Sequence, residues 1–292
     1  MSFPIPVVLI VFNRPEPTAA VFETVRRLRP SQLLIIADGP RPDRPDDPAR
    51  CLETRRVVSD IDWPCDCKTN FADVNIGLKG RIHSGLDWVF EQVERAIILE
   101  DDCVADPTFF PYCAELLERY ADDERVMTIS GNNYHFGSIP FPHSYFFSRH
   151  MHCWGWATWR RAWKLHDPTL PYWPSLKADG WIESFVQDSG ERRHWHDVLD
   201  AAALGHLNSW AYPWSYSIMR HNGLNIHPAV NLVSNIGFGP EATHTREESM
   251  LSKIPTQPMT WPLNHPPHVL RNFTADDNYA HIVYRPLRRH VW

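Results

Sequence analysis

The chain opens with apolar runs separated by helically spaced ones. Residues 7–12 are continuously apolar, as in a strand buried on both faces of a parallel sheet. A second run at 33–37 ends in Asp38 and Gly39, a third covers 96–99, and 126–130 closes the series. Between them Val21, Val25 and Leu28 share a helical face that Pro30 closes. Leu52, Val57 and Ile61 mark a second helix, and Ile82, Leu86, Val89 and Val93 a third, with a short extended piece at 68–71. Asp106 and Pro107 form an N-cap and first-turn pair for a helix carrying Phe109, Phe110, Cys113, Leu116, Leu117 and Tyr120. This alternation predicts an α/β fold: a mixed, mostly parallel sheet flanked by helices, binding ligands beyond the carboxyl ends of its strands.

The pattern changes after residue 131. Most of the 13 tryptophans follow residue 153, and with 26 prolines they suggest a loop-rich half without a regular sheet, in which large rings fill the core. We read 1–131 as a ligand-binding half, 132–245 as the second half of the same domain, and 246–292 as an extended C-terminal strap. A core of this size is well supplied by 43% hydrophobic residues. The net charge of −6 and a pI near 6.2 argue against nucleic acid as a partner. No stretch is long and apolar enough to span a membrane and no signal-peptide pattern precedes residue 7, so a cytoplasmic location is expected, with peripheral membrane association left open. Six cysteines without CxxC spacing read as reduced thiols, and structural zinc is not expected.

Chemistry concentrates at the strand ends. Glu100, Asp101 and Asp102 directly follow the run at 96–99, and three adjacent carboxylates at the mouth of a core strand call for a balancing cation. Asn13 and Arg14 follow the first strand, Asp38 the second, and Asn75 precedes the helix holding Lys79 and Arg81. A nucleoside diphosphate sugar needs this mixture. Hard carboxylate oxygens hold a divalent ion against the diphosphate, Arg14, Lys79 and Arg81 donate to phosphate, and Asp38 accepts from a uracil imide or ribose hydroxyl. Plainer readings stand beside these: Asp38 before Gly39 and Pro40 is also turn chemistry, and Arg14, Lys79 and Arg81 are also ordinary surface charges.

Phe12, Asn13, Arg14, Asp38 and the stretch ILEDDCVADPTFF at 98–110 resemble the nucleotide-sugar core of GT-A fold glycosyltransferases, a Rossmann-like nucleotide-diphospho-sugar transferase fold. The triplet and its flanks are similar to those of N-acetylglucosaminyltransferase I, as are Gly155, Trp156 and Trp163 in CWGWATWRRAW. The chain as a whole, including NLVSNIGFGPEATHT at 231–245, resembles bacterial HlpA-like, family 2-like sugar transferases. The resemblance implies a metal-dependent, inverting glycosyltransferase using a UDP sugar in bacterial surface polysaccharide synthesis, with a glycan or lipid-linked glycan as acceptor. Asp102 and His244 would hold Mn2+ or Mg2+. Glu100 and Asp101 would contact donor hydroxyls or metal-bound water, Arg14 the diphosphate and Asp38 the uracil.

The acceptor half leaves more open. An inverting transfer needs a base for the acceptor hydroxyl. Asp197 after Trp195 and Glu183 after Trp181 are the first candidates, with Asp200 and Glu241 behind them; Asp197 also reads as a helix-surface acid. The bacterial relatives tend to read Asp, Thr, Trp, Asp, Tyr where this chain has Asn208, Ser209, Trp210, Ala211 and Tyr212, so two carboxylates are missing. That departure is compatible with a different acceptor, a relocated base or lost activity. Trp154, Trp156 and Trp210 would wall an acceptor pocket by stacking on sugar, or simply fill a core. Two other functions remain: a sugar-nucleotide pyrophosphorylase, although FNRPEP replaces the Gly-rich basic loop such enzymes carry after the first strand, and a degenerate, non-catalytic glycan- or partner-binding protein.

Overall fold

The computed structural model describes residues 2–238 and 251–284. Its first part alternates β1 (Val7–Val11), α1 (Pro15–Leu28), β2 (Gln32–Ala37), α2 (Asp47–Ser59), β3 (Asp66–Phe71), α3 (Gly77–Gln92) and β4 (Arg95–Glu100). A short β5 (Cys103–Ala105), α4 (Phe109–Arg119) and β6 (Val126–Ser130) follow. Then come β7 (Tyr145–Ser148), β8 (Trp156–Trp159), α5 (Arg160–Trp163), α6 (Trp173–Ala178), α7 (Trp181–Phe185), α8 (Ser189–Ala203) and α9 (Ala211–Arg220), and finally β9 (Leu224–Pro228), β10 (Val233–Asn235) and α10 (Phe273–Val283).

Eight strands make one mixed sheet in the order β3-β2-β1-β4-β8-β6-β9-β7, and β5 pairs with β10 in a separate ribbon. In the large sheet only β8 and β7 run against the rest. The carboxyl ends of β1, β2, β3 and β4 therefore share one rim.

Strand periodicity explains how a continuous apolar run serves two cores. Val7, Leu9 and Val11, with Leu33, Ile35, Ile97 and Leu99, face α1 and α4. Val8, Ile10, Leu34, Ile36, Ala96 and Ile98 face α3, α5 and α9 on the other side. A third apolar cluster, built on Trp173, Trp195 and Leu199, holds α6 to α9 together.

Two expectations need correction. The tryptophan-rich half does contribute to the sheet, through β7, β8 and β9. With β8 buried completely between β4 and β6, the sequence WATW shows no alternation to betray it. The buried face of α2 is Asp47, Cys51, Thr54 and Val58, while Leu52 points out and Ile61 lies beyond the helix. Polar groups at two of those inward positions disguise the 3.6-residue period. Elsewhere α4 starts two residues past Pro107, and Asp106 Oδ1 accepts from the Thr108 backbone N–H at 2.8 Å. All six cysteines are unpaired thiols.

Candidate active site

The acids sit where β4 ends. Hydrogen-bonded pairing of Leu9 with Leu99 and Ile10 with Glu100 puts Arg14, four residues past Ile10, beside them. Arg14 donates to both Asp101 oxygens, 3.3 Å to Oδ2 in one of these bonds, and 3.0 Å to Asp102 Oδ2. Burial pulls the Arg14 pKa down, but Asp101 and Asp102 more than offset it and the net direction is up. Burial, then the charges of Asp102 and Asp101, push the Glu100 carboxyl up to about 8. Burial also drives Asp101 up, against the pull of Arg14. Two carboxyl groups held reluctant to ionise are the electrostatic mark of a place short of positive charge.

A ribbon from far along the chain fixes Asp102. Asn235 pairs with Cys103 in the β5–β10 ladder, and the Ile236 N–H donates to the Asp102 carbonyl at 2.9 Å. The Asn235 side chain then works at both ends: its Nδ2 donates to Asp102 Oδ1 at 3.2 Å and its Oδ1 accepts from the Gly237 N–H at 2.8 Å. Gly237 presses on the same carboxylate, since a Cβ built there would lie 1.9 Å from Asp102 Oδ2. Gly237→Ala is therefore expected to turn the carboxylate aside, weakening the hold on any divalent cation bound there about tenfold with little change in melting temperature. Calorimetry and thermal unfolding on the same variant check both halves of that statement.

Along the rest of the rim the structure gathers the remaining candidates around the β1–β3 loops. Asp38 Oδ1 accepts from the Gly39 and Ile76 N–H groups at 2.9 and 3.1 Å, and Oδ2 from the Gly77 N–H at 3.0 Å. These bonds tie the β2 and α3 loops together, so Asp38 is a strut of the rim. Asn75 donates to the Gly39 carbonyl at 2.9 Å in the same arrangement, and any Cβ on Gly39 would strike the Val74 backbone at 2.4 Å. Asn13 donates to Asp47 Oδ1 at 2.7 Å, while Arg41 lies over the Phe12 ring at 5.3 Å and pairs bidentately with Asp47, at 2.6 and 2.9 Å. Arg81 is buried against Asn70, bonded to its carbonyl and side chain, behind the rim. Lys79 is half-buried at the start of α3, and its backbone N–H lies 3.4 Å from Asn208 Oδ1.

Beside the acids is a cavity of about 770 Å³. Glu100, Trp154 and Trp210 line it, together with Ser209, Ala211 and Tyr212 from the segment that departs from the bacterial pattern. Trp156 does not: it is fully buried in β8 and stacks its ring behind Trp210, with 5.5 Å between centroids. Of the three tryptophans expected to face an acceptor, Trp156 is thus wholly core, and Trp210 belongs to the same buried cluster while reaching the cavity wall. Asp197 is exposed on α8 and away from the cavity, because Glu191, Trp195, Leu199 and Ala202 take the buried face. Glu183 is half-exposed and pairs with His196 at 2.8 Å. Asp200 is tied to Lys177 and to Trp173 Nε1, at 2.5 and 2.9 Å. Both proposed bases therefore stand outside the cavity. His244 and Glu241 lie outside the described residues.

The wall also holds a buried charge network that the sequence reading missed. Arg149 and His150 meet Glu191 of α8, with His150 Nε2 at 2.9 Å from Oε1. On the other side His150 Nδ1 lies 3.3 Å from Asp276 of α10, which also accepts from Ser148 Oγ and Arg271 Nε, each at 2.5 Å. The spacing of Glu191, Trp195, Leu199 and Ala202 was the available signal, since it puts a carboxylate on an apolar face.

The carboxylate oxygens of Asp102 are hard donors that suit a divalent ion, and they are engaged by Arg14 on Oδ2 and by Asn235 and Cys103 Sγ on Oδ1. Among the described residues no three His, Cys, Asp or Glu side chains are grouped as a metal site. No helix among the described residues is long and apolar enough to cross a membrane.

No family model matches the chain, and no curated protein does. Similar solved structures include the mannosyltransferase PcManGT from Pyrobaculum calidifontis in complex with GDP-Man and Mn2+, at 10% identity and TM-score 0.35 over 55% of this chain and 45% of that one. A cytidylyltransferase from Leptospira borgpetersenii serovar Hardjo-bovis matches at 9% identity and TM-score 0.34, covering 66% and 69%. The galactosyltransferase LgtC in complex with donor and acceptor sugar analogs matches at 10% and 0.34, covering 60% and 66%. The aligned part spans less than half the length of the mannosyltransferase. Similarity this distant leaves the chemistry to be read from the chain's own residues.

Proposed function

We propose that this chain is a metal-dependent glycosyltransferase that uses a nucleotide-diphosphate sugar, specifically a UDP sugar, and transfers it with inversion to a hydroxyl group of a glycan or lipid-linked glycan in surface polysaccharide synthesis. The observation that carries the reading is a shared carboxylate: Glu100 belongs both to the acidic end of β4 and to the wall of the aromatic cavity. A donor bound over Arg14, Asp101 and Asp102 would therefore present its sugar to that cavity.

Asp102 would hold Mn2+ or Mg2+, which when bound supplies positive charge that stabilises the departing diphosphate. Arg14 adds charge-assisted hydrogen bonds to the same phosphates. Glu100 and Asp101 orient donor hydroxyls, and the loop set by Asp38, Asn13 and Asn75 shapes the floor for ribose and base. Trp154 and Trp210 offer flat apolar faces to an acceptor sugar.

The test is calorimetry of UDP with and without Mn2+, followed by incubation with UDP sugars. UDP binding that depends on Mn2+, and UDP release on incubation, are the expected results. Formation of nucleoside triphosphate from a sugar nucleotide and pyrophosphate would make the protein a pyrophosphorylase instead. Absence of any UDP binding would remove the reading.

A further inference from the structure

We infer that His194, on α8, is the general base that takes the proton of the acceptor hydroxyl. This rests on the glycosyltransferase reading above and names a residue for a step that the exposed acids cannot reach. His194 lines the cavity that also contains Glu100 and Trp210. It lies one turn after Glu191 and one turn before Asp197, at the border between the buried stripe and the exposed face of α8, where it reaches the cavity. Its ring stands 4.9 Å from that of Tyr284 and 5.4 Å from that of Tyr212, and forms no hydrogen bond or ion pair among the described residues.

Elimination supports the choice. Arg149 and His150 of the same wall are paired with Glu191, and His150 also faces Asp276. Burial pushes the Tyr134, Tyr212, Tyr279 and Tyr284 hydroxyls and the Cys153 thiol up, so they keep their protons near neutral pH. His152 also lines the cavity, but both its ring nitrogens are inaccessible to solvent. Glu100 belongs with the donor acids. The groups around His194 are Glu191 and Asp197 of its own helix, Tyr212 of α9 and Tyr284 at the end of α10. Burial lowers its pKa and the two acids only partly oppose this. The imidazole is consequently neutral, and able to accept a proton, at pH 7.

In the step, the acceptor O–H proton moves to a ring nitrogen of His194. The oxygen forms a bond to the anomeric carbon, and the bond from that carbon to the diphosphate oxygen breaks, its electron pair leaving with the nucleoside diphosphate. Water in the cavity would be activated in the same way.

The experiment uses the full chain with Mn2+ and, in turn, UDP-glucose, UDP-galactose and UDP-N-acetylglucosamine. UDP release is followed against pH in the wild type, His194→Gln and His194→Ala. UDP release should fall about a hundredfold or more in both variants, with Mn2+-dependent UDP affinity unchanged by calorimetry. The acidic limb of the wild-type profile should lie below pH 6.5 and vanish in His194→Gln, and added imidazole should restore His194→Ala. Variants that release UDP at the wild-type rate overturn the assignment while leaving the glycosyltransferase reading intact. So does a loss that keeps the acidic limb and resists imidazole. A wild type that neither binds UDP with Mn2+ nor releases it removes both.

Discussion

Asp102→Ala is expected to abolish Mn2+-dependent binding of UDP, a loss of at least about 100-fold in affinity, or ~2.7 kcal/mol. Three partners hold this side chain in place, Asn235 and Cys103 Sγ on Oδ1 and Arg14 on Oδ2, and none can substitute for it as a carboxylate ligand. The fold should tolerate the change. Removing one of three adjacent carboxylates relieves their repulsion, and Arg14 keeps Asp101 as its partner. The orphaned Asn235 amide costs about 1 kcal/mol, so the ligand-free melting temperature should move little. Calorimetry with and without Mn2+ measures the effect, and affinity that remains Mn2+-dependent in the variant would refute Asp102 as the ligand.

The largest effect on stability is expected at Asp276. Truncation to alanine leaves His150 and Arg271 facing a buried gap, and breaking a buried ion pair by removing one partner costs about 3–5 kcal/mol. Because Tyr279, Ile282 and Val283 of α10 line the cavity, the same substitution should loosen that wall. The network also gives the stability a pH signature. Burial lowers the His150 pKa, but Asp276 and Glu191 raise it further, to a net value above its ordinary 6.5. Its contribution is therefore complete below pH 6.5 and is lost as pH rises through the raised value. Burial raises the carboxyls of Glu191 and Asp276, but His150 and their other partners bring both below their ordinary 4.5 and 3.8. Their contributions are present above those values and are lost as pH falls through the lowered ones. The network thus stabilises most between about pH 4.5 and 6.5. Urea unfolding across pH should show that maximum in the wild type and a flatter profile in Asp276→Ala; parallel profiles would contradict the coupling.

Glu100, Asp101 and Asp102 stood out in the sequence because three adjacent acids after a core strand repel one another, whereas the ion pairs of Arg14 with Asp101 and Asp102 became visible only in the fold. The helical period of α4 and the double-sided runs of β1, β2 and β4 were legible because each is a local pattern. By contrast, Asp197 and Trp156 drew attention for their chemistry and their neighbours in sequence, and their orientation is not a local property. On α8 the phase set by Trp195 and Leu199 turns Asp197 outward and His194 toward the cavity. In β8 the pairing with β4 and β6 on either side closes Trp156 into the core.

What the amino-acid order determined by itself is therefore the alternation of strands and helices, the rim those strands create and the acids placed on it. Hydrophobic period and strand-end polarity depend on residues within a few positions of one another. Tertiary structure alone decided that Asn235 and Gly237 grip Asp102 from 133 and 135 residues away, that β8 enters the sheet, and that α8, α9 and α10 enclose a cavity around Glu100. Those contacts join segments that carry no periodic trace of one another, and only the packed chain brings them within hydrogen-bond or van der Waals reach.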